Sequence, residues 1–302
     1  MSEAIRTVAF IGLGLMGRLM AANLAKAGFI VQSFDLNGSG NRPSAREAAR
    51  GAQVLITMVP DGKAVRRAVL AALPGLAPRT IVIDMSSSDP SDTRKLNALL
   101  KKKNILMLDA PVSGAKAKAK DGTLALMVGG DPKLLEKVRP VLSKMGNQIF
   151  HTGGIGSGHA TKALNNYLGA AGTIAGFEAL LVGEKFGLDP KVLVDVINAS
   201  TGKNSTTERK IPQQVFTGAF ASGFQLALMT KDVAIAREIA RSAGVETPYL
   251  KTTLKIWRDA LRRLPAGADH TELLHYLKRL KLPSRGAVSP RAGSPRKRRR
   301  ST

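Results

Sequence analysis

The sequence predicts an α/β protein: a doubly wound, mostly parallel sheet followed by an all-α domain. Three observations carry this. Between residues 6 and 154 short apolar runs alternate with amphipathic stretches, the pattern of successive βα units. Beyond residue 158 the apolar positions recur at helical spacing and strand-like alternation disappears. A length of 302 residues, with 44% apolar and 23% charged residues, suits two globular domains with aliphatic cores.

In chain order the predicted strands are residues 7–11, 30–34, 53–58, 80–84, 105–109, 123–128 and 148–151, each an apolar run of strand length. Helices over 15–27, 63–72, 90–102 and 132–144 separate them, and a shorter helix over 44–50 makes the crossover that parallel neighbours require. In the second half helices are predicted near 158–186, 190–199, 224–243, 248–263 and 269–280, punctuated by Gly187, Pro190, Gly202, Pro248 and Pro265. Asp269-His270-Thr271-Glu272 reads as a helix start with an acidic first turn. The expected division is an α/β domain over 1–155, a helical domain over 156–282 and a disordered basic tail over 283–302.

The net charge is +24, but ten positive charges lie between Lys278 and Arg300 with no acidic residue among them, which leaves +14 on the rest. That remainder steers small anionic substrates and cofactors. The tail carries Pro283, Pro290, Pro295 and the run from Arg296 to Arg300, a composition that does not fold. It has no aromatic side chain to stack on bases, so a solvated tail is favoured over a nucleic-acid arm. The absence of cysteine excludes disulfides and thiolate nucleophiles. His151, His159, His270 and His275 have no partner at metal-ligand spacing, so no metal is expected. The longest weakly polar stretch, 168–177, is too short to span a bilayer, and no separate signal segment precedes the first strand. The expectation is a cytoplasmic protein without membrane association.

Gly12, Gly14 and Gly17 form GxGxxG directly between the first strand and first helix. There a glycine turn lets the backbone approach a pyrophosphate, which then sits on free N–H groups at the positive end of the helix. The second apolar run ends in Asp35, eighteen residues beyond Gly17, where a carboxylate can accept from a ribose 2′-OH and repel a 2′-phosphate. This is a Rossmann-type arrangement for NAD; Arg42 keeps NADP open as a phosphate partner.

In the helical part Lys162, Asn165, Asn166 and Gly169 fall at i, i+3, i+4 and i+7, one polar face with a gap beside it. Burial in a cleft would lower the Lys162 pKa and suit it to exchange a proton with a substrate hydroxyl; the bland alternative is a solvent-facing lysine near a helix start. Ser113-Gly114 follows an apolar run and Pro111, where a hydroxyl and backbone N–H groups can receive a carboxylate, unless it is an ordinary turn.

Phe10-Ile11-Gly12-Leu13-Gly14-Leu15-Met16-Gly17 resembles the N-terminal signature of the β-hydroxyacid dehydrogenase family, which includes 3-hydroxyisobutyrate dehydrogenase and tartronate semialdehyde reductase. Further matches follow in order: Ile56 to Pro60, Asp84 to Ser87, Asp109 to Gly114, Gly122 to Leu124, Met127 to Gly130, Gly156-Ser157-Gly158 with Lys162, Asn165 and Asn166, and Lys231-Asp232. The resemblance spans about residues 5–280. It implies hydride transfer between NAD(P) and a small β-hydroxy acid, with Lys162 as general acid/base. It implies cofactor contacts at Gly12, Leu13, Gly14, Leu15, Met16, Gly17, Asp35, Met58, Val59, Pro60, Ser86, Ser87 and Lys231, and substrate contacts at Ser113, Gly114, Ala115, Asn166 and Lys231. Asn204, Ser205 and Thr206 form a polar loop that in relatives lies near the substrate, and assembly through the helical domain into a homo-oligomer is also implied.

Two features depart from the family. Ala115 replaces a usual glycine, and the crossover after Asp35 is shorter by about one helix and one short strand on the adenosine side. A decarboxylating 6-phosphogluconate dehydrogenase would need a longer helical domain, and imine reductases generally lack a lysine at the Lys162 position. The alternative of another class is a catalytically impaired nucleotide-binding protein whose basic tail binds a polyanion.

Overall fold

The computed structural model describes residues 4–280; the tail expected over 283–302 lies outside them. Strands β1 (Thr7–Ile11), β2 (Ile30–Phe34), β3 (Val54–Thr57), β4 (Ile81–Asp84), β5 (Leu106–Asp109), β6 (Val112–Ser113), β7 (Leu124–Gly129) and β8 (Gly146–Gly153) form one sheet. Its order is β2-β1-β3-β4-β5-β7-β6, with β8 on β7. The first five strands are parallel, whereas β7 runs antiparallel to β5 and β6 and parallel to β8. The doubly wound, mostly parallel sheet expected from the sequence is therefore present.

Alternation along β1 explains the two cores. Val8 and Phe10 face α1 (Gly17–Lys26) and α6 (Pro132–Leu142), where Met20, Leu24 and Val138 are fully buried. Ala9 and Ile11 face the other way, onto Val65, Val69 and Leu100 of α3 (Gly62–Ala72) and α4 (Pro90–Lys101). Side chains of period two on a sheet covered on both sides leave no polar face, hence the continuous apolar runs.

The shortened crossover contains only α2 (Ala45–Ala49) and leaves β2 at the sheet edge. Residues 41 and 42 close that edge. The Asn41 side chain accepts the Ser33 N–H at 2.8 Å and donates to the Val31 carbonyl at 2.9 Å, and the Arg42 N–H donates to the Ser33 carbonyl at 3.0 Å. One amide side chain thus does for β2 what a neighbouring strand would do. Gly40 lies against Ser33 and Phe34 so closely that a Cβ would collide with their backbone.

A seven-residue helix, α5 (Ala115–Asp121), precedes β7. Its Ala-Lys alternation has no helical period and was not anticipated. The second half contains α7 (Ser157–Phe186), α8 (Pro190–Asn198), α9 (Leu226–Ser242), α10 (Pro248–Arg263) and α11 (Leu273–Lys278), packed around fully buried Phe177 and Trp257. The helix expected over 269–280 is instead a 3-10 turn, His270–Glu272, leading into α11, with the Asp269–Glu272 capping box formed at its start. Between α8 and α9 a π-helical segment, Thr206–Val215, was not anticipated, because its wider turn breaks the 3.6-residue pattern on which helix recognition rests. Among the described residues no helix is long and apolar enough to cross a membrane.

Candidate active site

The glycine turn sits where β1 meets α1, at the switch point between β2 and β3. Gly12 has φ +100° and a Cβ there would strike the Met58 carbonyl; Gly17 packs on the Gly12 carbonyl in the same way. Gly14 differs, since a Cβ on it would meet nothing within 4 Å. Among the described residues no protein group accepts the N–H groups of Gly14, Leu15 and Met16. Two glycines therefore serve close packing, and the third leaves space over three free donors at a helix start, a cradle that fits a dinucleotide pyrophosphate. Asp35 stands at the rim, where its carboxylate accepts the Leu13 N–H at 2.6 Å and the Asn37 N–H at 3.0 Å.

The next two cofactor motifs meet each other. The Val59 N–H donates to the Ser86 hydroxyl at 3.0 Å, and the Ser86 N–H donates to the buried Asp84 carboxylate at 3.0 Å. Ser86 is buried and occupied in bracing these loops, whereas Met58, Val59 and Ser87 are partly exposed and Pro60 is exposed. Thr57 and Ser88 hydroxyls complete the Asp84 shell at 3.0 and 2.8 Å.

Helix α7 begins against the ends of β5 and β7. Asp109 accepts the N–H groups of Gly156 and His159 at 2.7 and 2.9 Å. The His159 ring is completely buried, with Nδ1 2.8 Å from Thr93 Oγ1 and Nε2 3.5 Å from Asp84. This ties the first turn of α7 to the strand end that supports the cofactor loops. Neither Asp109 nor His159 was expected to take part. The available signal was the glycine-rich start Gly156-Ser157-Gly158, which has no capping side chain at its first position and so needs a cap from elsewhere.

One turn on, Lys162 is half-buried, and burial holds its ammonium below the ordinary lysine range; Asp232 opposes that shift and Lys231 adds to it. Asn166 donates to Asp232 at 2.6 Å, Asp232 also pairs with Lys231 at 3.1 Å, and Lys231 donates to the Ser87 carbonyl. A continuous chain of contacts thus runs from α7 through α9 to the cofactor loop after β4. Lys231 is thus held against the loop after β4 and not left in solvent.

Ser113 ends β6, four residues beyond Asp109, and is partly exposed with Gly114. Gly114 has φ +143° and Ala115 φ +56°, so the backbone keeps a glycine-like conformation although Ala115 has a side chain. No hydrogen bond joins these three residues to the Lys162 group among the described residues. In the polar loop Asn204 accepts the N–H groups of Thr206 and Thr207 at 2.9 and 3.4 Å, and Thr206 is buried. Among the described residues no three metal-ligating side chains cluster.

Two family models match in succession: the NAD binding domain of 6-phosphogluconate dehydrogenase over residues 7–153, and the NAD-binding segment of NADP-dependent 3-hydroxyisobutyrate dehydrogenase over residues 156–277. The NAD-dependent L-serine dehydrogenase of Pseudomonas aeruginosa is 39% identical over 284 residues, 88% of this chain and 95% of the relative. The 3-sulfolactaldehyde reductase of Escherichia coli is 33% identical, covering 90% and 95%. A solved structure of Mycobacterium tuberculosis 3-hydroxyisobutyrate dehydrogenase with L-serine is similar at a TM-score of 0.84 and 36% identity, covering 91% of this chain and 99% of that one. With its glycine cradle and these relatives along nearly its whole length, the chain belongs to the β-hydroxyacid dehydrogenase family and is an NAD(P)-dependent dehydrogenase.

Proposed function

We propose that the protein interconverts a small β-hydroxy acid, of the 3-hydroxyisobutyrate or glycerate type, and its semialdehyde, with Lys162 as general acid/base. The observation that carries this reading is the contact chain Asn166, Asp232, Lys231, Ser87, which brings a half-buried lysine face of α7 to the loops beside the cofactor cradle. The L-serine and 3-hydroxyisobutyrate named for the relatives are both 3-hydroxy acids that differ at C2, which supports this substrate class.

NAD, when bound, supplies the hydride acceptor or donor at its nicotinamide ring. In the oxidising direction neutral Lys162 takes the hydroxyl proton as hydride leaves the carbinol carbon, so the C–O bond becomes a carbonyl and one proton stays on Lys162. In the reducing direction the Lys162 ammonium returns that proton to the oxygen. The Ser113 hydroxyl and the N–H groups of Gly114 and Ala115 hold the substrate carboxylate. Asn166, fixed by Asp232, orients the hydroxyl; Lys231 closes the cleft on the Ser87 side. Holding both reactants in one cleft removes the entropy loss of a bimolecular encounter.

The test is Lys162→Ala assayed for oxidation of 3-hydroxyisobutyrate and glycerate, with NADH binding followed by nicotinamide fluorescence. The expected result is turnover reduced by at least about 100-fold, the lower range for a general acid/base, with binding retained. Unchanged turnover removes Lys162 from its role.

A further inference from the structure

Asp269 fastens the loop before α9 to the segment before α11. Its carboxylate accepts the Ser222 hydroxyl at 2.8 Å and the Gly223 N–H at 3.0 Å, and on its own side the Thr271 N–H at 2.9 Å. The backbone adds two ties: the His270 N–H donates to the Phe224 carbonyl at 2.9 Å, and the Leu226 N–H to the Ala268 carbonyl at 2.8 Å. Phe220, earlier in the same loop, meets His275 edge-on with ring centroids 4.3 Å apart and holds φ +42°. A side-chain-bearing residue is strained there, and such strain persists only where the surroundings fix the chain. Burial acts to raise the Asp269 pKa, but hydrogen bonds from His270, Thr271 and Ser222 outweigh it and hold the carboxyl below its ordinary range.

The fastened loop reaches the cofactor cleft. Gly223 comes up to the glycine turn, where a Cβ on it would lie 3.9 Å from the Leu15 δ-methyl. From Gly223 the chain enters α9, whose Lys231 donates to the Ser87 carbonyl. Leu15 follows β1 and Ser87 follows β4, and β3 with its Met58–Pro60 loop lies between those two strands in the sheet. The segment from Gly223 to Lys231 therefore spans the carboxyl ends of β1, β3 and β4, the crevice in which an open α/β sheet takes its dinucleotide. Lys231 secures the Ser87 end of this span. Asp269 secures the other end, beside the free N–H groups of Gly14, Leu15 and Met16, from behind.

We propose that Asp269 is a positioning residue for the cofactor: it fixes Ser222 and Gly223 as the outer wall of the cleft opposite the glycine turn, so that the pyrophosphate is held between the two. This rests on the reading of Gly14, Leu15 and Met16 as the pyrophosphate site. Asp269 acts through the loop and sets the width of the slot. Because the wall is already ordered, the entropy cost of ordering a mobile loop is not set against cofactor affinity.

Hydrogen–deuterium exchange with and without NADH reads the wall directly. With NADH about 10-fold above its Kd, fixed by nicotinamide fluorescence, exchange in the wild type should slow about 10-fold both in the glycine turn, 12–17, and in 219–225. Slowing in the turn alone overturns the wall. Slowing in neither overturns the pyrophosphate site and this inference with it. Asp269→Asn can cap Thr271 only by turning its amide nitrogen to the Gly223 N–H, which that nitrogen cannot accept. It should weaken NADH by about 10-fold, the scale of one charge-assisted hydrogen bond, and NADH should then protect the turn but no longer 219–225. Ser222→Ala, which leaves the Thr271 cap in place, should act in the same direction by a smaller factor, and it decides the matter if Asp269→Asn does not fold. A lowered thermal midpoint with NADH affinity and the protection of 219–225 as in the wild type marks Asp269 as a structural cap and overturns the proposal.

Discussion

Asp109 caps the first turn of α7, which contains His159: its two carboxylate oxygens accept the Gly156 N–H at 2.7 Å and the His159 N–H at 2.9 Å. These are the first and fourth residues of a capping box, here satisfied from a strand 47 residues earlier because Gly156, at φ +89°, has no side chain. The first turn of α7, one turn before Lys162, is therefore held through the sheet and not by its own local sequence. Asp109→Ala should cost about 3 kcal/mol in urea unfolding, from a lost cap together with two buried N–H groups left unpaired. Asp109→Asn, which keeps one acceptor oxygen, should cost less. A loss below about 0.5 kcal/mol in the alanine variant would show that the first turn is held by something else.

Gly158 tests the same junction from the other side. A Cβ there would collide with the Met127 carbonyl and lie 2.9 Å from the Asp109 carboxylate, both fixed in the sheet. Gly158→Ala must lift α7 from β7, so both thermal midpoint and turnover should fall. Gly169→Ala, on the same helix but beside open space, should raise stability by up to about 1 kcal/mol through helix propensity. Similar losses in both variants would place the effect in the helix itself and not in its docking.

How much of this was legible depended on whether the signal was local. The glycine turn, the strand that ends in Asp35 and the polar stripe of Lys162 and Asn166 are read from spacing, because 2-residue and 3.6-residue periods are written into the chain. The 3-10 turn after Asp269 was read as a helix start for the same reason, its capping box being contiguous. What was missed depends on long-range contact. Asp109 meets Gly156 across 47 residues and His159 across 50. The π-helical segment was missed because its pitch matches neither pattern. Asn204, which the resemblance places near the substrate, caps its own turn, and a side chain suited to both tasks carries no local signal that separates them.

Lys162 has a pH signature with opposite consequences in its two neighbours. Its pKa is lowered by burial, raised by Asp232 and lowered by Lys231. In the proposed role Lys162 works in oxidation as the neutral amine, so the rate should rise with pH through a midpoint below the ordinary lysine value; in reduction it works as the ammonium, and the rate should fall over the same range. Asp232→Asn removes the charge that retains the proton and should move the oxidation limb to lower pH. Lys231→Met should move it to higher pH. Profiles of kcat against pH that shift together in both variants, or in neither, would assign the limb to another group.

Ala115 holds φ +56° at a place where the resemblance calls for glycine. The left-handed region costs a side-chain-bearing residue about 1–2 kcal/mol, and glycine returns about half of that through its larger unfolded-state entropy. Ala115→Gly should therefore stabilise the protein by about 0.5–1 kcal/mol in urea unfolding. A clear loss would mean that the Ala115 methyl packs in a way that outweighs the strain.

The cofactor preference turns on Asp35 and on the closed edge of β2. Its carboxylate is anchored by the Leu13 and Asn37 N–H groups at the rim of the cradle, so a negative charge is fixed where the adenosine ribose lies. Arg42, the side chain that would favour a 2′-phosphate, donates its Nε–H to Gln32 at 3.0 Å on the edge strand. NADH should therefore bind at least about 10-fold more tightly than NADPH in fluorescence titrations, and Asp35→Asn, which keeps an acceptor for Leu13 but loses the charge, should narrow the gap chiefly by improving NADPH. Asn41→Ala acts differently: it leaves the Ser33 N–H and the Val31 carbonyl unpaired at the edge strand that leads into Asp35, and should weaken both nucleotides alike while lowering the thermal midpoint. Preferential binding of NADPH by the wild type would show that Arg42 leaves Gln32 for the phosphate and that Asp35 does not set the choice.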